Sequence, residues 1–409
     1  MSSENVKLLI ISAVFAFVII SLNACSELKS INVIDESQES GLIETSSPQT
    51  NTAEESSYTE SLLMLDDWRT NWLEKSINLN ELTTTGSTRD GIAPIDDSSS
   101  EPIASADTWV MNDEPVITLV VGNLAKAYPL KIMIRHEVVN DTIGGIPIVV
   151  TFCPLTSSAV VFNREFNGQT FDFGTSGLVR KSNFLMWDRQ TETLWQQLTG
   201  SAVIGDLNGT QLSRIPSAVT SWKDFRDCYP DGTVLSDSSS SATDYDMTPY
   251  VAYDDENSIP FLFHGTIDDR LPAMERVVGV QVGSESIAFP FSLLSKVDVI
   301  NYTFAGEDMT VLFSPSTISV LDNKNISESK NVGTAAVFYR VVDEKNLSFK
   351  RSNETIVDAE TGSTWSITGI ATSGPLQGTQ LQIVEHSVYF WFAWAAFYPE
   401  TLIYEVPEQ

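Results

Sequence analysis

The feature that most constrains this chain is a sequence pattern that occurs twice at domain-sized spacing. Residues 205–212 read Gly-Asp-Leu-Asn-Gly-Thr-Gln-Leu, and residues 374–381 read Gly-Pro-Leu-Gln-Gly-Thr-Gln-Leu, 169 positions later. Residues 114–158 match 275–319 at a spacing of 161 without a gap, and about a third of the positions are identical. This period is too long for a solenoid unit, so it predicts two tandem copies of one fold.

The two copies share turn and core residues but differ in reactive side chains. Glycines, prolines and aromatic residues recur at matched positions, and these residue types serve turns and cores. Three reactive residues of the first copy are replaced in the second: His136 by Val297, Cys153 by Ser314 and Arg189 by Ala359. The first copy is therefore the better place for a site, with the second as a structural or regulatory partner. The alternative is that both copies are inert and the differences are drift.

Local patterns within each copy favour strands. Runs of β-branched and aromatic residues bounded by turn residues predict strands at 116–121, 148–153, 159–162 and 170–173. Gly-Gly and Asn-Gly pairs at 144–145, 167–168 and 208–209 predict tight turns, and 129–137 and 222–228 read as short helices. The predicted fold class is mainly β, a β-rich α+β fold with two tandem copies of one β domain and short helices.

The same patterns divide the chain into six segments. Leucine and tryptophan residues between 61 and 82 have helix-like spacing, which predicts one or two short amphipathic helices there. We predict a signal peptide at 1–25, a disordered Ser/Thr/Glu-rich tether at 26–60, an N-terminal helical or loop extension at 61–110, a first β domain at 111–240, a connecting segment at 241–274, and a second, degenerate β domain at 275–409.

The first 25 residues have the pattern of a secretion signal. Lys7 precedes an apolar run at 8–22 that is short for a membrane span. The run ends in Leu-Asn-Ala-Cys25, which resembles the bacterial lipobox, and that resemblance implies acylation of Cys25. Ser26 follows Cys25, and the absence of Asp at this position resembles the pattern that permits transfer to the outer membrane. We therefore expect a lipid-anchored protein of the bacterial cell envelope, on the periplasmic or outer-membrane face; the alternative is an uncleaved signal anchor.

Charge and cysteine content narrow the possible partners. The formal net charge of −30 argues against nucleic-acid binding, which needs a basic surface. No cofactor is predicted, and no metal site is predicted because the three histidines are not clustered with cysteines. Beyond Cys25, the chain has Cys153 and Cys228, which could form a disulfide in an oxidising compartment. Their spacing in sequence leaves that pairing open.

The candidate site residues lie in three clusters of the first copy, around 136–141, 152–156 and 187–196. A thiol at Cys153 can act as a nucleophile when a base lowers its pKa, and His136 is the only histidine of the first copy. His136 and Cys153 are therefore the candidate catalytic residues; the alternatives are a buried cysteine that only packs and a core histidine bonded to backbone. Candidate ligand-binding residues are Glu137, Asn140, Asp141, Arg180, Asp188, Arg189, Thr191 and Trp195.

Two alternatives apply to the acidic residues of this set. Glu137, Asp141 and Asp188 could hold a hard cation, or Asp188 and Arg189 could bind a polar or anionic ligand. Against this, Asp188 could simply cap a turn, because its match Asp358 persists in the second copy without the arginine.

In their joint order, these motifs resemble the bacterial domain of unknown function 3179. The resemblance covers roughly residues 85–409 and rests on Arg-Asp-Gly-Ile at 89–92, Ala-Tyr-Pro at 127–129, His-Glu-Val-Val-Asn-Asp at 136–141, Cys-Pro-Leu at 153–155, the 188–195 segment and the aromatic 392–399 segment. Some members carry a cysteine or selenocysteine three residues after the first cysteine. Thr156 stands there in this chain, so a Cys-x-x-Cys redox centre is not expected. The family name implies no activity.

The sequence therefore leaves two hypotheses for function. The first is an envelope lipoprotein that binds a small molecule or an envelope polymer through a polar pocket in the first copy. The second is a thiol-dependent enzyme that uses Cys153 with His136. We expect His136, Cys153, Asp188 and Arg189 to line one cavity, because side chains of these types are unfavourable to bury without partners.

Overall fold

The computed structural model describes residues 68–236 and 243–406. The signal peptide, Cys25 and the tether predicted from the sequence lie outside the described residues. Within those residues, no helix combines the length and the apolar character that crossing a membrane requires. Four names are used below: the N-terminal segment (68–96), the first half (99–236), the connecting segment (243–275) and the second half (276–406).

The N-terminal segment and the first half contain fifteen strands, three short α-helices and the 3-10 turn Leu79–Glu81 among the described residues. In chain order they are β1 Leu82–Thr84, β2 Ser99–Pro102, α1 Ile103–Ala106, β3 Pro115–Val121, β4 Leu124–Pro129, α2 Leu130–His136, β5 Val138–Ile143, β6 Ile146–Cys153, β7 Ser158–Asn163, β8 Glu165–Phe166, β9 Gln169–Thr170, β10 Phe173–Arg180, β11 Asn183–Asp188, β12 Leu194–Gln196, β13 Ala202–Ile204, β14 Ser217–Ser221, α3 Trp222–Cys228 and β15 Thr233–Ser236.

The second half continues with thirteen strands, two α-helices and the 3-10 turn Ile326–Glu328 in the part of the chain that the structure describes. They are β16 Arg276–Val282, β17 Glu285–Pro290, α4 Phe291–Val297, β18 Val299–Phe304, β19 Glu307–Ser314, β20 Thr334–Tyr339, β21 Val341–Val342, β22 Lys345–Asn346, β23 Phe349–Ser352, β24 Thr355–Asp358, β25 Thr364–Trp365, β26 Ala371–Ser373, β27 His386–Phe390, α5 Trp391–Phe397 and β28 Leu402–Ile403. The protein is mainly β with few short helices, as the sequence predicted.

Both halves arrange their strands in similar orders. The order β14-β3-β4-β15 in the first half has the counterpart β27-β16-β17-β28 in the second, and β4-β15 and β17-β28 are both parallel pairs. In the first half, β2 extends this sheet beyond β15. The order β5-β6-β7 likewise has the counterpart β18-β19-β20, and β10-β11-β12-β13 has β23-β24-β25-β26. Duplication of one domain, with the boundaries given above, remains a prediction; this recurrence supports it.

Most of the local predictions in the first half are confirmed; one strand is wrong and one turn differs in type. The Asn167-Gly168 turn joins β8 to β9 with φ of 50° and 75°, as a type I′ turn requires. The strand predicted at 170–173 is wrong, because it is divided between β9 and the start of β10. The turn predicted at 208–209 is present within a turn at 206–209, but Asn208 is not left-handed, so it is not a type I′ turn. After this turn, Gln211 forms an antiparallel bridge with Ser201.

The N-terminal segment packs on β10 and does not form the predicted amphipathic helices. Within 68–82 the described helix is a single 3-10 turn, Leu79–Glu81. Trp68 makes an edge contact with Trp187 of β11, so the regular spacing of the tryptophans serves contact with a sheet. The contact with β10 depends on Gly177, where a Cβ atom would lie 2.2 Å from the Ser87 carbonyl oxygen.

One hydrophobic core extends across both halves. It joins α2 and the sheet β5-β6-β7 to Phe390, Phe392 and Ala393 of the aromatic segment near the chain end. Residues 315–333, the long connection between β19 and β20, add Ile318 and other apolar side chains to the same core. Apolar residues at the end of β27 and the start of α5 therefore pack the two halves together.

Candidate functional site

A cavity of about 200 Å³ lies in the first half, where β6 ends. Its wall includes Ile92 of the N-terminal segment, Glu137, Cys153, Thr175 of β10, Phe184 of β11 and Tyr250 of the connecting segment. Most of the wall is apolar, and none of the described residues that line it is a lysine, arginine or histidine. We call this space the Cys153 cavity.

Glu137 is the acidic group of the Cys153 cavity. It ends helix α2 in a left-handed conformation, φ 58°, and its backbone N–H donates to Met133 O at 2.7 Å. Only 6% of the residue is exposed. Burial raises the pKa of Glu137 from 4.5 to about 8, and a hydrogen bond from the Tyr250 hydroxyl offsets part of this rise. The carboxyl is therefore mostly protonated at neutral pH.

Cys153 stands at the last position of β6, and only 1% of it is exposed. Its Sγ lies 3.9 Å from the Ser182 carbonyl oxygen. Burial raises the pKa of the thiol to about 11, and the charge of Glu137 raises it further, while Thr156 partly offsets both effects. Since the thiolate is the nucleophilic form, Cys153 is a protonated thiol in this structure at neutral pH.

His136 does not form the pair with Cys153 that the sequence suggested. One ring nitrogen lies 2.8 Å from the Ala93 carbonyl oxygen, and the other lies 2.8 Å from the Tyr245 hydroxyl. His136 is not on the wall of the Cys153 cavity. The contact with Ala93 O agrees with the alternative that His136 is bonded to backbone, although the residue is only partly buried. Glu137, its sequence neighbour, faces the thiol in its place.

Asn140 and Asp141 hold strands together outside the Cys153 cavity. Asn140 exchanges two hydrogen bonds with the backbone of Phe173, at 2.8 and 2.9 Å, which joins β5 to β10. Asp141 accepts hydrogen bonds from Lys126 Nζ at 2.5 Å and from the Tyr128 hydroxyl at 2.8 Å. The polar atoms of these two residues are therefore satisfied by contacts within the fold.

The cluster of Asp188, Thr191 and Trp195 forms a structural turn. Asp188 accepts hydrogen bonds from the Thr191 backbone N–H at 2.6 Å and from Trp195 Nε1 at 2.9 Å. In the second half, Asp358 accepts from the Thr361 backbone N–H at 2.5 Å and from the Trp365 Nε1 at 2.9 Å. The capping alternative therefore describes Asp188 correctly.

The two arginines of the predicted set also lie outside the Cys153 cavity. Arg180 pairs with Glu81 of the N-terminal segment at 2.7 Å, and Arg189 pairs with Asp96 at 2.8 Å. Both ion pairs fasten the N-terminal segment to the first half. The expectation that His136, Cys153, Asp188 and Arg189 line one cavity is thus wrong, because Cys153 alone of these four does so.

Neither the possible disulfide nor the possible cation site is formed among the described residues. Cys153 and Cys228 are both free thiols, so they do not form a disulfide in this structure. Within 68–236 and 243–406, no group of three or more His, Cys, Asp and Glu side chains is placed to hold a metal ion. In particular, Glu137, Asp141 and Asp188 take part in separate contacts and do not form a common cation site.

The matching acid of the second half forms a partly exposed ion pair. Asp298 ends helix α4 with φ 59°, as Glu137 ends α2. Phe349 exchanges two hydrogen bonds with Asn301, as Phe173 does with Asn140. Two residues after Phe349 is Arg351, and its Nε lies 3.5 Å from Asp298 Oδ2. By the same register, the first half has Thr175 where the second has Arg351.

Sequence reasoning missed Thr175, Phe184 and Tyr250 as cavity residues. Thr175 and Phe184 lie in strands and have no motif of their own. A comparison with the matching residues of the second half could have distinguished them from other strand residues. Tyr250 lies in the connecting segment, outside both predicted copies, so the internal comparison contained no information on it. Phe261 of the same segment lines the cavity and is 57% exposed, so this segment forms the outer wall.

Residues 89–401 match the family described as protein of unknown function (DUF3179). The match covers more than half of the chain, so the chain belongs to this family. Neither a curated protein nor a solved structure matches the chain. The family region includes the first half, the connecting segment and the second half up to residue 401, and its description assigns no activity. The Cys153 cavity is therefore the feature of the described structure that bears most directly on function.

Proposed function

We propose that this protein binds a small molecule in the Cys153 cavity. The observation that carries the proposal is the difference between the halves: the first has a cavity beside a buried acid, and the second has Arg351 beside the matching acid. A packed interior normally leaves few voids larger than a water molecule. A mostly apolar space with a few polar groups is the usual form of a small-molecule site.

The size of the cavity favours a small molecule over an envelope polymer. A volume of about 200 Å³ can hold a small molecule but not a segment of a polymer with many repeating units. We further propose, from the signal-like N-terminus alone, that the protein is a lipid-anchored component of the cell envelope. The thiol-dependent enzyme is the weaker candidate, because Cys153 is protonated at neutral pH and His136 is held by other partners.

Alkylation of Cys153 by iodoacetamide tests the proposal in the folded protein. Cys228 is a free thiol of the same chain that is only partly buried, so it serves as an internal reference when modification is read by peptide mass spectrometry. We expect slow modification of Cys153 in the parent protein. Thr175→Arg, which copies the second half, should slow it at least tenfold, while Thr170→Arg on an exposed strand should not.

A second variant keeps the test valid if Thr175→Arg does not fold. Val179→Met lengthens an apolar side chain of the cavity wall and should also slow modification of Cys153 relative to Cys228. The decisive comparison is between protein purified natively and the same protein after unfolding, dialysis and refolding. Faster modification after refolding indicates loss of a protecting ligand. Equal rates in all variants and preparations would refute a ligand cavity at Cys153.

A further inference from the structure

The second half shows which partner an acid takes at this position of the fold. Asp298 lies next to the Arg351 guanidinium, whose Nη2 also donates to the Phe313 carbonyl oxygen at 3.2 Å. Phe313 in turn donates its backbone N–H to Asp298 O, as Phe152 does to Glu137 O. The acid at the end of the helix therefore faces a cation that the chain supplies from the neighbouring strand.

The first half has the acid without that cation. Glu137 is more than nine-tenths buried and lines the Cys153 cavity, while Thr175 supplies only a hydroxyl that donates to Ile92 O. Among the described residues on the wall, none carries a positive charge. A buried carboxyl without a cationic partner is unfavourable in its ionised form. A ligand that brings a cation would remove that penalty.

The remaining walls suit a cation with an apolar body. Phe184, Tyr250 and Phe261 place three aromatic rings on the cavity wall, and aromatic faces attract ammonium and guanidinium groups. The rest of the wall consists largely of aliphatic side chains. The formal net charge of −30 also raises the local concentration of cations around the protein.

We propose that the ligand of the Cys153 cavity is a small organic cation, an amine or a guanidinium compound, whose charge is paired with Glu137. This inference rests on the proposed function, and it specifies the class of ligand. The ligand takes the place that Arg351 occupies in the second half. Because the cavity measures about 200 Å³, a short monoamine fits the argument better than an extended polyamine.

The test compares n-butylamine with its neutral relative n-butyramide as probes. Each is titrated into the full protein by isothermal titration calorimetry, and each is tested for protection of Cys153 against iodoacetamide. We expect n-butylamine to bind and protect, and n-butyramide to bind at least tenfold more weakly. Glu137→Gln should abolish the preference, whereas Asp298→Asn, the matched change in the second half, should leave it intact.

The pH dependence of binding separates ion pairing from recognition of a neutral acid. The titratable groups that face Glu137 are the Cys153 thiol from β6 and the Tyr250 phenol from the connecting segment, and burial raises the pKa of both well above 8. Glu137 is thus the group that titrates near pH 8. Affinity for n-butylamine should rise about tenfold per pH unit between pH 6 and pH 8 and then level off, with release of a proton on binding below pH 8.

The outcomes distinguish this inference from the proposal on which it rests. Tighter binding of n-butyramide, or affinity for the amine that falls as the pH rises, would overturn the cationic ligand while the small-molecule site stands. Failure of both probes, together with unchanged alkylation of Cys153 in Thr175→Arg and Val179→Met, would overturn both.

Discussion

Glu137→Gln should stabilise the protein in alkaline solution and have little effect in acid. The reason is that the pKa of Glu137 is raised from 4.5 to about 8 in the folded state. Below pH 4.5 the carboxyl is protonated in both states. Between pH 4.5 and pH 8 the unfolded state loses the proton first, so the stability of the parent protein falls as the pH rises. Gln has the shape of the protonated acid and does not titrate.

The magnitude follows from the difference of about 3.5 between the two pKa values. At about 1.4 kcal/mol for each pH unit, the parent loses at most about 5 kcal/mol of unfolding free energy above pH 8. Relative to the parent, the Gln variant should therefore gain about 3 kcal/mol between pH 5 and pH 8. The gain is large because Glu137 is buried and lacks a cationic partner.

Urea denaturation of both proteins at pH 5, 6, 7 and 8 measures this difference. Asp298→Asn is the matched control, because its acid already has Arg351 as a partner and is partly exposed. That variant should lose at most about 1 kcal/mol and show no gain at high pH. If the stabilities of Glu137→Gln and the parent run parallel across this pH range, Glu137 is ionised in the folded state and the reasoning is refuted.

Three further changes probe other parts of the molecule. Gly177→Ala should destabilise the protein by about 2–3 kcal/mol, because φ is +76° and the new Cβ would lie 2.2 Å from a carbonyl oxygen of the N-terminal segment. Gly209→Ala is the control, since φ is +87° but no atom lies near the new Cβ, and it should cost about 1 kcal/mol. Thermal unfolding of the two variants measures the difference. Asp188→Ala should cost about 2–3 kcal/mol by leaving buried Trp195 Nε1 without its acceptor, while Cys153 stays as unreactive to iodoacetamide as in the parent. Cys25→Ala should move the protein from the membrane fraction to the soluble fraction, and retention in membranes after signal cleavage would contradict the proposed lipid anchor.

The sequence predicted the strands and turns well because their signals are local. Asn167-Gly168 requires positive φ at both residues, and that requirement acts whatever surrounds the turn. Within the described residues 68–82, the predicted helices are absent for the opposite reason. Trp68 has helical spacing from its neighbours, yet its ring packs against Trp187 more than a hundred residues away. Periodicity shows that one face is buried and not what covers it.

The site was only partly predictable for a related reason. Glu137 and Cys153 stood out as reactive residues, and both line the cavity. Sequence could not separate them from His136 and Asp188, because all four are polar or reactive and only their contacts differ. The most informative residue, Thr175, is unremarkable until Arg351 is seen at the matching position. The absence of an arginine at position 175 does not produce a sequence motif. It becomes visible only when the strand register aligns Thr175 with Arg351.

The N-terminal segment supplies part of the cavity wall, and this has a mechanical consequence. Chain tension applied from the N-terminus enters the described structure at Trp68 and acts first on the contacts of this segment with β10 and β11. Such a load would also act on two ion pairs, Arg180 with Glu81 and Arg189 with Asp96. Once they release, Ile92 leaves the wall and the cavity opens to water. Under the proposed function, a pull on the N-terminus would therefore expose the bound molecule to water.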